Sequence, residues 1–218
     1  QQVRDLAALV GELGQSLRSS LVSPEDSKHE LNPALAEIIV PIPDLLATSA
    51  TLSRLDSTST SVYLVNCISS LILPLVSSDC AQEATTALQD RLEHVYLSSL
   101  IKEQATHFLA DCGIAHKLAI IHHRADAGSG PLSTVLGLEP RAVETVARAF
   151  ESSLLDLSGG ALLFPTVDRL LNPKYRSLIR QQVAEMISAQ YTELYSAITD
   201  PAAEYPDHGI RIFRYKPD

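Results

Sequence analysis

The run from Asp79 to Cys112 constrains this chain most, because it holds neither proline nor glycine. Read as one helix, it is about 50 Å long at 1.5 Å per residue. Asp79 and Gln82 stand in capping-box register at its start, where side chains satisfy open backbone N–H groups. Gly113 stands at its end, where a residue without Cβ takes the left-handed conformation and lets Ile114 fold back on Leu109. Leu88, Leu92, Val95, Ile101, Ala105, Phe108 and Cys112 form an apolar stripe, mostly at three- and four-residue spacing, interrupted at Ser98 and Ser99 and widened by Leu97 and Leu100. Such a stripe requires partner helices.

The remainder of the chain supplies them. Its 218 residues suffice for one or two domains, and 45% hydrophobic against 20% charged residues is a folded composition. Only 9 glycines accompany the long periodic segments, which argues against an all-β fold. A net charge of −9 disfavours nucleic acid, since neutralising phosphates takes clustered Lys and Arg. Cys67, Cys80 and Cys112 lack CxxC spacing and lie on or beside apolar faces, so they read as free thiols in a reducing setting. Met186 is the only methionine and Gln1 already sits in a helical pattern, so an excised piece of a longer protein is expected.

Taken in order, residues 1–21 read as an amphipathic helix with Val3, Leu6, Val10, Leu13, Leu17 and Leu21 near coiled-coil spacing. Ser23 to Ser27 reads as a polar loop and Asn32-Pro33 as a helix start. Pro41 and Pro43 end that helix and begin another, running to about Leu55. Thr58 or Ser59 is the expected cap of a helix through Val76. Its stretch Val62 to Val76 carries no charge, but it is shorter than the ~20 apolar residues of a membrane span and contains Asn66, Ser69, Ser70 and Pro74. It reads as a buried core helix, with a membrane-inserted fragment as the alternative. After Gly113 come a helix from Ile114 to His123, a loop over Asp126 to Leu138, and a helix from Pro140 facing inward with Val143, Val146, Phe150 and Leu154, with Glu144 and Arg148 paired outside. Gly159-Gly160 breaks it. Pro165 opens a short turn, and Asn172-Pro173 starts a long helix with Tyr175, Ile179, Val183, Ile187, Leu194 and Ile198 inward, closed by Pro201. The alternation Ile210, Arg211, Ile212, Arg214, Tyr215 predicts a strand-like or extended tail. The expected organisation is residues 1–57 as N-terminal helices continuing a truncated rod, 58–205 as a helical bundle, and 206–218 as an extended tail.

Residues that could carry chemistry are sparse. His29-Glu30 would open a zinc-protease HExxH, but Pro33 stands where the second histidine belongs. Asp90/His94 and Glu103/His107 lie about 20 Å apart along a helix, far beyond the ~4 Å of paired metals. His116, His122, His123 and Asp126 form the densest histidine cluster, without a cysteine or glutamate at zinc-like spacing. Gly128-Ser129-Gly130 lacks the GK[ST] ending of a phosphate loop, and no GxSxG is present. The sequence therefore supports no catalytic residue, no metal ligand and no cofactor; its enzyme alternative is a helical metal- or ligand-binding protein using the His116–Asp126 cluster. The candidate partner-binding residues are Arg211, Phe213, Arg214, Tyr215 and Lys216, a basic-aromatic inversion of an acidic chain that could meet an acidic partner or anionic lipid. The competing reading is a terminal segment that packs its apolar residues on the bundle with charges outward.

Several segments resemble one family in the same order along the chain. Tyr63-Leu64-Val65-Asn66-Cys67 resembles the Y-L-I-N-C segment of the sixth subunit of the conserved oligomeric Golgi complex, and Ile101-Lys102-Glu103-Gln104-Ala105 is similar to its I-N-E-Q-A stretch. Pro131-Leu132-Ser133, the Phe150 to Leu154 region, and Tyr191, Tyr195, Ile198, Pro201, Glu204 and Tyr205 are similar as well. The resemblance runs from about Ser61 to Tyr205. It implies an all-α fold of elongated, stacked helical bundles as in multisubunit tethering complexes, and a non-enzymatic scaffold role in retrograde intra-Golgi transport. It further implies a peripheral position on the cytoplasmic face of the Golgi membrane, with the other subunits, SNAREs and small GTPases as partners. Asn172-Pro173 and the basic tail depart from the family pattern and receive no role from it.

Overall fold

The computed structural model describes residues 24–76, 81–125, 130–158 and 165–217, together with 8, 9, 12 and 16. The expected seam of residues 1–21, the Asp79 cap, Cys80, Asp126, Gly128-Ser129 and the Gly159-Gly160 break lie outside the described residues, apart from helical, exposed Ala8, Leu9, Glu12 and Ser16. All regular structure among the described residues is helical, as the periodicity predicts. Contacts divide the chain into two compact units, one of residues 1–100 and 166–179, the other of residues 101–165 and 180–218.

The first unit contains α1 (Pro24–Ile39), α2 (Ile42–Leu52), α3 (Ser57–Leu75) and α4 (Gln82–Arg91), which runs on into a π-helical turn at Leu92–Leu97. α1 packs on α4, α2 on α3, and the π turn on α3. Two expectations fail at its start. The segment Ser23 to Ser27 is not a loop from Pro24 on, and Asn32-Pro33 is not a helix start, because α1 begins at Pro24 and runs through Pro33. Burial of Leu35, Ala36 and Ile39 on one face offsets the backbone bond that Pro33 cannot make. Asn32 still caps a helix, but another one: its Oδ1 accepts the Glu83 N–H at 3.0 Å, in the first turn of α4.

α3 is capped by Asp56 rather than Thr58 or Ser59. The Asp56 carboxylate accepts both the backbone N–H and the hydroxyl of Ser59, each at 2.8 Å. These bonds, the backbone one foremost, hold its pKa below the ordinary value. The helix buries Val62, Leu64, Val65, Cys67, Ile68, Leu71, Ile72 and Leu75, and Pro74 falls in its last turn. Residues 32–52 and 57–75 are each long and apolar enough to cross a membrane by length and composition; a third of the hydropathic window in the first and half of that in the second is buried within the protein.

The long central run is continuous from Gln82 to Asp111, through α4, the π turn and α5 (Ser98–Asp111), but it is not α-helical throughout. At the π turn the Ser98 N–H donates to the carbonyl of Glu93, five residues back. From Leu88 on, its buried positions run Leu88, Leu92, Tyr96, Leu97, Leu100, Ile101, Ala105 and Leu109. Past Leu92 two adjacent positions, Tyr96 and Leu97, are buried together, and the turn between them and Leu92 is the wider one. Val95, assigned to the inner stripe by α-periodicity, is instead 51% exposed.

The boundary between units falls inside α5 and again inside α8 (Pro173–Thr199). The second unit further holds α6 (Ile114–Ala125), α7 (Pro140–Ser158), and short 3₁₀ turns at Leu132–Thr134, Pro201–Ala203 and Pro206–Ile212. Gly113, at φ +79°, ends α5 as its left-handed cap. Val143, Val146, Ala147 and Phe150 of α7 and Val183, Ile187, Tyr191, Leu194 and Ile198 of α8 are buried. The expected strand-like tail is replaced by 3₁₀ turns over 206–212. Pro206 fixes one backbone angle and Gly209 takes φ +68°, so the alternation of Ile210 and Ile212 never meets extended backbone.

Candidate interaction surface

Three places carry the residues singled out by sequence. The first is the histidine region of the second unit. His116, His122, His123 and Arg124 of α6 line an open depression with Ala119, Ile120 and Val135. His122 pairs with Glu193 of α8 across its edge. Arg124 donates to the carbonyls of Gly130 and Pro131, anchoring the loop that follows α6. Lys117 is 9% exposed, and its Nζ donates to the Gly137 carbonyl at 2.6 Å. Lys117, His122 and Arg124 thus tie α6 to its neighbours. Among the described residues, no three His, Cys, Asp or Glu side chains converge to hold a metal ion.

The carboxylate–histidine pairs on the central run fare similarly. His107 meets Asp111 at 3.0 Å, so its partner lies one turn later than the Glu103 read from spacing. Cys67 and Cys112 are buried free thiols, and desolvation pushes both thiol pKa values up, the opposite of what a nucleophile needs.

The third place is the C-terminal segment. Phe213 is buried, with its ring 5.8 Å from Tyr191 and 5.2 Å from Tyr195. Tyr191 stacks in turn on Phe150 at 4.5 Å, and Phe150 meets Phe108 edge-on at 5.9 Å. The backbone of the segment is fixed at two points: the Arg214 N–H donates to Glu151 Oε1 at 2.8 Å, and the Tyr191 hydroxyl donates to the Tyr215 carbonyl at 2.6 Å. Arg211, Arg214, Tyr215 and Lys216 are exposed, Arg211 beside Asp207 at 3.1 Å and Arg214 over the Tyr215 ring. The five candidate residues thus split into one anchor, Phe213, and four outward side chains.

Sequence reasoning missed the polar brackets. Asn66 donates from Nδ2 to the Arg169 carbonyl at 3.1 Å and accepts the Leu171 N–H at 2.8 Å, clasping the 3₁₀ turn Val167–Arg169 to α3. Arg91 binds Asp44 through both guanidinium nitrogens and lies over the Tyr96 ring. In the second unit the Tyr205 hydroxyl donates to the Leu138 carbonyl, and burial pushes its pKa up to about 12. An asparagine inside an apolar helix is the one local signal that pointed toward such a bracket.

The family described as Conserved Oligomeric Golgi complex subunit 6, C-terminal, matches residues 1–218. A Dictyostelium discoideum protein named conserved oligomeric Golgi complex subunit 6 is 31% identical over 216 residues, covering 99% of this chain and 32% of the relative. The Arabidopsis thaliana subunit 6 is 24% identical over 99% of this chain and 36% of its own length. The human one is 24% identical over 91% of this chain and 29% of its own. The chain thus spans about a third of the length of these relatives. No solved structure matches it.

Proposed function

The chain belongs to the family of C-terminal regions of conserved oligomeric Golgi complex subunit 6, and from that membership we propose that it acts as a non-enzymatic scaffold in Golgi vesicle tethering. The observation that carries this reading is the family match along the whole chain. The site geometry supports it: helices bury apolar stripes against one another, and His122 serves as a tie between α6 and α8. Its work is to present surfaces to the other subunits of the complex, and beyond them to SNAREs and small GTPases, at the cytoplasmic face of the Golgi membrane. The outward Arg211, Arg214, Tyr215 and Lys216 of the terminal segment serve as a contact edge positioned by Phe213.

Cells lacking the subunit provide the test. Full-length subunit should restore normal cell-surface glycans by lectin staining and the Golgi location of glycosylation enzymes. The same subunit without this region should restore neither. Full rescue by the truncated form would count against the reading.

A further inference from the structure

The second unit carries a closure that the scaffold reading does not require. Residues 206–217 lie across α7 and α8, and the 3₁₀ turn Pro206–Ile212 packs against α7. Beneath them the rings of Phe150, Tyr191 and Tyr195 form an aromatic floor into which Phe213 inserts. Gly209 marks how closely the segment is fitted: a Cβ there would stand 2.8 Å from the Ile198 carbonyl oxygen.

The fastenings are few. Among the described residues of this segment Gly209 and Phe213 are buried, while Ile210, Arg211, Arg214, Tyr215 and Lys216 are exposed. The backbone is strained on the way in, with Glu204 at φ +56° and Asp207 at φ +50°, a region that side chains bearing a Cβ rarely enter. The i→i+3 bonds of a 3₁₀ turn are also poorer than those of the α-helices underneath. An element with strained entry, weak internal bonds, two hydrogen bonds to the helices and one large anchor opens before the helices it covers.

We propose that residues 206–217 form a releasable strap, latched by Phe213, whose opening uncovers an aromatic groove between α7 and α8 while the helices stay folded. The segment then has two states: seated, with Phe213 in the aromatic floor and its cations facing outward, and released, with the rings of Phe150, Tyr191 and Tyr195 accessible. The inference does not depend on which complex the chain serves.

The test begins with the unaltered chain. In hydrogen exchange followed by mass spectrometry, peptides covering 210–217 should exchange at least tenfold faster than those covering Val183–Ile198. Trypsin should cut at Arg211–Ile212 and Arg214–Tyr215 before it cuts inside α8. Phe213→Ala removes the latch, and Gly209→Ala drives a Cβ against the Ile198 carbonyl, so the two loosen the strap by unrelated means. Each should raise tail cleavage roughly tenfold or more, since cutting tracks the open population. Dye binding to the uncovered rings should rise, and the helical circular-dichroism signal should remain. Equal protection of tail and α8 in the unaltered chain would overturn the proposal. So would tail cleavage unchanged in both variants, or helix lost in step with the cleavage.

Discussion

The two units hold their outlying segments by different means. In the first, polar side chains reach across: Asn66 clasps the turn at Val167–Arg169, Asn32 caps α4 from α1, and Arg91 ties α4 to Asp44 of α2. In the second, hydrogen bonds such as Tyr205 to Leu138 and Arg214 to Glu151 are present too, but they accompany a chain of aromatic rings, from Phe108 through Phe150 and Tyr191 to Phe213, that the first unit lacks among the ring contacts of its described residues. A polar bracket fixes direction and distance, but each bond contributes only about 1 kcal/mol net because water competes for it. Buried rings contribute through area and geometry, so losing one leaves a cavity as well as a missing contact. The first unit should therefore yield gradually to single substitutions and the second abruptly.

The largest effect is expected from Phe150→Ala, which removes the ring shared by Phe108 and Tyr191. A loss of about 3–5 kcal/mol, measured by urea denaturation, fits a buried Phe→Ala change. A loss below about 1 kcal/mol would break the contrast between units.

Alkali should also act on the second unit. Burial raises the phenol pKa values of Tyr191 and Tyr205 to about 12 from an ordinary 10.0. A group whose folded pKa is raised contributes its full stability below the unfolded value and loses it as pH rises through the folded one. Stability should be flat in this respect below pH 10 and fall between about pH 10 and 12, by up to about 2 kcal/mol per phenol. Ultraviolet titration at 295 nm should show these hydroxyls ionising last. Ionisation of all tyrosines near pH 10 in a folded chain would contradict their burial.

For the first unit, Asn66→Ala should lower stability by about 1–3 kcal/mol, since it leaves the Arg169 carbonyl and the Leu171 N–H without this partner. Hydrogen exchange sharpens the assignment: faster exchange should be confined to 166–172. Asp56→Ala should give the smallest change, fraying only the first turn of α3. Because the Asp56 carboxyl pKa is lowered, its contribution is present above the unfolded value near 3.8 and lost as pH falls through the folded one. A thermal melt of the variant should converge with that of the parent at low pH.

How much of this was legible in the residues depended on the kind of interaction. Periodicity located α3, α6, α7 and α8, because apolar burial follows a 3.6-residue repeat that needs no knowledge of partners. It failed at Val95, which lies in a π turn where the α-helical repeat no longer holds. Asn32-Pro33 was misread because a cap-forming asparagine does not announce which helix it caps. The tail's alternating isoleucines suggested a strand, yet Phe213 had an aromatic floor assembled from α7 and α8 to enter, which no local pattern reveals. Among the candidate residues, the outward cations and the inward packing of the apolar ones were both readable from the sequence, whereas the ring partners of Phe213 emerged only from the fold.

The scaffold account is tested most directly by measuring binding of this chain to each of the other purified subunits of the oligomeric Golgi complex by interferometry, beside the full-length subunit as control. The account predicts saturable binding to at least one of them, weakened when Arg211, Arg214 and Lys216 are all changed to Glu. Binding by the full-length subunit with none by this chain would contradict it.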